Sequence, residues 1–143
     1  MAARQATAEW QGSLMEGNGH MRFGSGAFDG AYDFRSRFGD GAGTNPEELI
    51  GAAHAGCFSM ALSGILSRAG HPPQSVRTTA KVHLEKQGEG FAITRIDLDT
   101  QAVVPGLGDG AFQEHADAAK KGCPVSKALA GVEIGLTARL MAA

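Results

Sequence analysis

At 143 residues, with 43% hydrophobic and 20% charged, the chain has enough apolar material for one ordinary core, so a single domain over residues 1–143 is expected. A formal net charge of −2 argues against nucleic acid or an anionic membrane surface as a principal partner, since both need clustered Lys and Arg. The opening MAARQATAEW lacks the apolar stretch of a secretory signal, which points to the cytoplasm, where two cysteines serve chemistry or packing more often than a structural disulfide.

Residues 7–38 read as short strands between glycine-rich turns. Ala8 and Trp10 alternate with polar neighbours, as do Met21 and Phe23, and then Tyr32, Phe34 and Ser36. Gly39 to Gly43 is a loop. From Asn45 the pattern becomes helical. Asn45 can cap, Pro46 suits a first turn, and Glu47 and Glu48 complement the positive end of the helix dipole. Arg68 suits the last turn, Gly70 follows it, and Pro72-Pro73 prevent continuation, so a helix over 46–69 is predicted.

The uncharged stretch from Leu49 to Ser67 is long enough to cross a bilayer. It holds His54, three serines and three glycines, so we read it as a buried helix with no membrane role. Small residues recur every four positions, Ala53, Cys57 and Ala61 on one line and Ser59, Ser63 and Ser67 on another. Each mid-helix glycine costs up to ~1 kcal/mol relative to alanine, so Gly51, Gly56 and Gly64 imply a close neighbour. Either a second helix, as across a dimer, or the chain's own sheet would account for them.

Strands return at Ala80, Val82 and Leu84, which alternate with Lys81, His83 and Glu85. A turn at Gly88-Glu89-Gly90 leads into a second run, Phe91 to Val104, a predicted hairpin. The alternation changes phase between Ile93 and Ile96, which predicts a bulge near Thr94-Arg95. A helix from Asp109 to Lys121 should end at Gly122, and Pro124 should open a shorter one through Leu129. Val132, Ile134, Leu136, Ala138 and Leu140 mark a last strand. Strands and helices do not alternate regularly, which favours an α+β fold over a doubly wound parallel sheet.

The two cysteines stand in different electrostatic settings. Cys57 is in mid-helix, where the backbone N–H groups are already bonded, so the helix end cannot activate it. A nearby cation must lower its pKa, or it is a small buried hydrophobe. Cys123, in KGCPVSKAL, stands at the N-cap position of the short helix with Lys120, Lys121 and Lys127 around it, a setting that favours thiolate. On local physics alone Cys123 is the better nucleophile, and its bland reading is a mere cap. The two are 66 positions apart, so they form no CxxC pair, and local sequence does not tell whether they meet. His54 and Cys57, spaced i,i+3, could begin a metal site, yet Cys123 has no second Cys or His at ligand spacing.

The segment TNPEELIGAAHAGCFSMALS with GCPVSKAL near the end closely resembles the OsmC/Ohr family of bacterial thiol peroxidases active on organic hydroperoxides. YDFRSRF, the FAIT strand start and the VPG turn extend the resemblance over nearly the whole chain, and IGAAHA with YDFRSRF points to the OsmC branch. Gly56 stands where many relatives are expected to carry alanine. The resemblance implies an intertwined α+β homodimer with antiparallel sheets and a long central helix carrying the reactive cysteine. It implies Cys57 as the peroxidatic and Cys123 as the resolving cysteine, Glu47 as the active-site glutamate and Arg37 as the active-site arginine. Arg35, two residues away on what reads as the same strand face, is the alternative arginine.

This reverses the local preference for Cys123 and makes an Arg37 guanidinium, oriented by Glu47, the cation that Cys57 needs. Ten helical residues separate Glu47 from Cys57, a rise of ~15 Å, so the site is expected to borrow from the dimer partner. Phe58, Met60, Phe23, Phe34 and Phe38 are candidates for an apolar wall that favours alkyl peroxides. The implied reductant is an external dithiol, such as a lipoyl-bearing protein, and no cofactor is needed. Two other readings remain open. A non-enzymatic thiol redox sensor should pair with a DNA-binding or signalling segment, and neither a basic stripe nor a helix-turn-helix is visible. A small metal-binding stress protein is the other.

Overall fold

The structure, a computed structural model, describes residues 2–143. They fall into two compact units, one through Leu49 and the other from Ile50 to Ala143.

The first unit is an antiparallel meander of β1 (Ala6–Gln11), β2 (Asn18–Phe23) and β3 (Asp29–Tyr32), in the order β1-β2-β3. Trp10 of β1 lies opposite Gly19 of β2, which in turn lies opposite Tyr32 of β3. The thin glycine lets the two aromatic rings meet across it, their centroids 5.3 Å apart. The strand predicted through Phe34 and Ser36 is not one. β3 stops at Tyr32, and a short helix, α1 (Phe34–Phe38), follows. Asp33 is the reason: its Oδ1 accepts from the Ser36 amide at 2.8 Å, and Ser36 Oγ accepts from the Asp33 amide at 2.9 Å. This reciprocal pair satisfies two donors that a helix start leaves open.

Helix α2 (Pro46–Arg68) opens as predicted, with Asn45 Oδ1 accepting from the Glu48 amide at 2.8 Å. It ends at Gly70, whose φ of +87° lets the chain reverse while the His71 amide bonds to the Leu66 carbonyl at 2.8 Å.

The second unit pairs β4 (Ser75–Gln87) with β5 (Gly90–Val103) as a long antiparallel hairpin. His83 faces Arg95 and Leu84 faces Ile93, so Thr94 is the extra residue of the predicted bulge. Beyond it Ile96, Leu98, Thr100, Ala102 and Val104 share the buried face. α3 (Asp109–Gly122) and α4 (Pro124–Ala128) then carry the chain over to β6 (Glu133–Met141). β6 lies beside β5 but runs parallel to it, so this sheet is mixed and not wholly antiparallel as expected. The helical crossover is what permits the parallel pairing.

Phe58, Leu62 and Leu66 of α2 converge in the core with Ile96 and Leu98 of β5 and Phe112, Ala116 and Ala119 of α3. α2 is long and apolar enough to cross a membrane by length and composition, and one stripe of it forms this core. The glycines divide by cause. A Cβ at Gly51 would stand 3.5 Å from the Ala80 carbonyl oxygen, so the sheet accounts for that one. Gly56 has nothing within 4 Å of a Cβ, and Met60 beside it is 80% exposed.

Candidate functional site

Two pairs of chemistry-bearing side chains are assembled, each within its own unit. In the first unit α1 presents Arg37 to Glu47 in the first turn of α2. Arg37 Nη2 donates to Glu47 Oε1 at 2.7 Å, and Nε donates to Oε1 at 3.1 Å and to Oε2 at 3.3 Å. The Nη1 end of the fork takes no part in these three bonds. Glu47 is buried while Arg37 is a third exposed. A buried carboxylate that meets a guanidinium side-on fixes its plane as well as its position.

Hydrogen bonds between the two short segments set this geometry. Ser36 Oγ donates to the Thr44 carbonyl at 2.7 Å, and Asn45 Nδ2 donates to the Ser36 carbonyl at 3.1 Å. Arg37 Cζ also lies 5.3 Å from the centre of the Phe38 ring, within cation–π range. The helical form of this segment separates the two arginines, because residues two apart on a helix point to opposite sides. Arg35 is exposed and makes no bond to Glu47 among those described. A cleft of about 450 Å³ beside Arg37 is lined by Trp10, Leu14, Tyr32, Asp33 and Phe38. Of the expected apolar wall only Phe38 lies here. Phe58 is fully buried in the other unit's core, and Phe23 stacks on Phe28.

In the second unit core packing brings the two cysteines together. Both are free thiols, and their sulfurs stand 2.8 Å apart. Cys123 is the joint between two helices: its amide bonds to the Ala119 carbonyl and ends α3, and its carbonyl accepts from Lys127 in α4. It is fully buried, whereas Cys57 is only half-buried.

Burial pushes the Cys57 thiol up, and the contact with Cys123 adds to the rise against a smaller opposing pull from the Val125 amide. Burial also raises Cys123, but the Cys57 contact, the Ser126 amide and hydroxyl and the Val125 amide outweigh it, so its net shift is downward. The electrostatics of this unit therefore favour Cys123 as the thiolate, as its sequence setting implied, while access favours Cys57. No lysine is among the causes of the downward shift, and Lys121 is engaged by Asp117 at 2.9 Å.

His54 is turned toward Ser126. Its Nε2 lies 2.7 Å from Ser126 Oγ, and among the described residues no group of three or more His, Cys, Asp or Glu is placed to hold a metal ion. The sequence reading missed Asp33 and Ser36 as positioning residues, and it missed the contact of Ser126 with His54. The first two could have been found from the D-x-x-S spacing of a capping box. Ser126 has no such signal, because its partner is 72 positions away.

Residues 39–137 match the family described as OsmC-like protein. The chain is 48% identical over 127 residues to peroxiredoxin OsmC of Escherichia coli strain K12, covering 88% of this chain and 89% of that one. It is 31% identical over 99 residues to the organic hydroperoxide resistance protein of Xanthomonas axonopodis pv. citri, covering 68% of each. Among solved structures it resembles the organic hydroperoxide resistance protein OhrB of Bacillus subtilis with a TM-score of 0.71 and 26% identity, over 94% and 97% of the two chains.

Proposed function

The chain belongs to the OsmC-like family, and from that premise we infer that it is a cysteine-based peroxidase that reduces organic hydroperoxides to alcohols in oxidative and osmotic stress defence. The observation that carries this reading is the pair of free thiols with sulfurs at 2.8 Å. At that separation an oxidised intermediate on one sulfur is met at once by the other.

The thiolate of Cys57 attacks the terminal oxygen of ROOH. An S–O bond forms, the O–O bond breaks, and the departing alkoxide takes a proton to become the alcohol. Cys57 is then a sulfenic acid. Cys123 attacks its sulfur, a disulfide forms and water leaves. An external dithiol reduces the disulfide by exchange and is itself oxidised. A lipoyl-bearing protein is the reductant we assign. Cys57 is the attacker because a peroxide can reach it, whereas Cys123 is sealed in the core.

Since its own surroundings push the Cys57 thiol up, it needs a cation, and Arg37 held by Glu47 supplies one. The same guanidinium stabilises charge that develops on the peroxide oxygens. The cleft of Trp10, Leu14, Tyr32 and Phe38 beside Arg37 suits an alkyl chain. We place Arg37 and Glu47 of the partner subunit at Cys57 of this one, in a homodimer in which all 143 residues act as one domain, in the cytoplasm. The open side of α2 at Gly56 and Met60 supports such an interface.

The test is peroxide consumption with a dithiol by wild type, Cys57→Ser and Cys123→Ser, with sulfenate trapping. Cys57→Ser should lose all reaction, and Cys123→Ser should give one turnover and a trappable sulfenate. The reverse pattern would exchange the roles, and full activity in both variants would refute the mechanism.

A further inference from the structure

His54 lies fully buried on α2, one turn before Cys57, and the chemistry above gives it no part. Its Nε2 stands 2.7 Å from Ser126 Oγ, and its Nδ1 has no hydrogen-bond partner. Burial pushes the imidazole's pKa down, so the ring is neutral and carries a single N–H. A hydrogen on Nδ1 would leave a buried donor unpaired, and buried orphan donors are rarer than orphan acceptors. A hydrogen on Nε2 is paired with Ser126 Oγ and leaves only a lone pair unused. The Ser126 oxygen is then the acceptor, and its own hydrogen must go elsewhere. Ser126 is itself buried and is the third residue of α4, the helix that Cys123 caps, so its side chain lies on the turn that begins at Cys123, and it is among the groups that draw the Cys123 pKa down.

We propose that His54 and Ser126 are positioning residues for the resolving thiol: the His54 Nε2–H fixes Ser126 Oγ as an acceptor and thereby aims the Ser126 O–H at Cys123 Sγ. The assignment rests on the reading of Cys123 as the resolving cysteine. In the step it serves, Cys123 thiolate attacks the sulfur of the Cys57 sulfenic acid. The S–S bond forms and the S–O bond breaks. The leaving hydroxide takes up the proton that Cys123 gave up, so the products are one disulfide and one water. The hydroxyl hydrogen stays on Ser126 throughout, where it holds the attacking sulfur in its charged form and in place.

Thiolate ultraviolet absorbance followed against pH in the Cys57→Ser background reads the Cys123 thiol without peroxide. Ser126→Ala should raise its midpoint by about one unit, roughly tenfold in thiolate fraction, and Ser126→Thr, which keeps a hydroxyl, should leave it in place. His54→Leu should move it in the same direction, and His54→Gln, which keeps a side-chain N–H, should bring it back. With Cys57 present, Ser126→Ala should form sulfenate at the wild-type rate and close the disulfide about tenfold more slowly. A Ser126→Ala or His54→Leu titration that overlays its parent overturns the proposal. If the titrations move as stated while wild type forms no sulfenate with peroxide, the peroxidase reading fails and the His54–Ser126–Cys123 arrangement stands.

Discussion

The arginine–glutamate pair and the cysteine pair are held by opposite means. Every group that orients Arg37 lies between Asp33 and Glu48: a capping box, a hydroxyl on a carbonyl, and an asparagine that caps one helix while gripping the other. The sulfurs come from positions 66 apart and are brought together by Phe58, Leu62, Phe112 and Ala116, none of which touches chemistry. A surface-near charge is thus placed by directional bonds between near neighbours in sequence, and a pair of distant thiols is first brought together by non-directional packing. Each kind of support should fail separately, and that separation can be probed.

The largest effect is expected from Phe58→Ala. It should cost roughly 3–5 kcal/mol of stability, measured by denaturant unfolding, and loosen the sulfur pair while the Arg37–Glu47 bonds survive. Next comes a mixing experiment. Cys57→Ser and Arg37→Ala should each lose about 10²-fold or more in peroxide reduction. Unfolded together and refolded, the two dead chains should regain activity, because a mixed dimer contains one complete site. No recovery would place the whole site within one subunit.

Arg37→Ala sharpens the comparison through pH. With the cation gone, burial and the Cys123 contact act on Cys57 against only the smaller pull of the Val125 amide, so its thiolate should form only at higher pH. The pH midpoint of sulfenate formation should move upward by about one unit or more, while disulfide closure keeps its profile. Asp33→Ala should cost about 1 kcal/mol and lower the rate several-fold without altering the Cys123 titration. Smallest of all, Arg35→Ala should leave both pairs and the rate unchanged. An upward pH shift in that variant would make Arg35 the working cation.

Legibility in the sequence followed the range of the interactions. The long helix could be read residue by residue because Asn45, Pro46 and Gly70 act on their own neighbours. The bulge at Thr94 showed as a phase change in a strand. α1 was hidden because five residues hold little more than one turn, and Tyr32, Phe34 and Ser36 alternate like a strand. Its error carried into the site, since on a strand Arg35 and Arg37 are equivalent and on a helix they are not. The direction of β6 was hidden for another reason: burial of one face gives a strand the same alternation whichever way its neighbour runs. The meeting of Cys57 with Cys123, and of His54 with Ser126, depends on how helices cross the core, which no local pattern encodes. Family resemblance supplied the first pairing and was silent on the second.

The parallel placement of β6 has a consequence for how the molecule is made. A strand that returns parallel to its neighbour can dock only after the whole crossover has been folded over, and such non-local pairing is the slow part of folding. Cys123 lies inside that crossover. The loop between the two sulfurs must therefore be closed, at an entropy cost that grows with its length, before the thiols meet. Until then Cys57 and Cys123 behave as two unrelated cysteines.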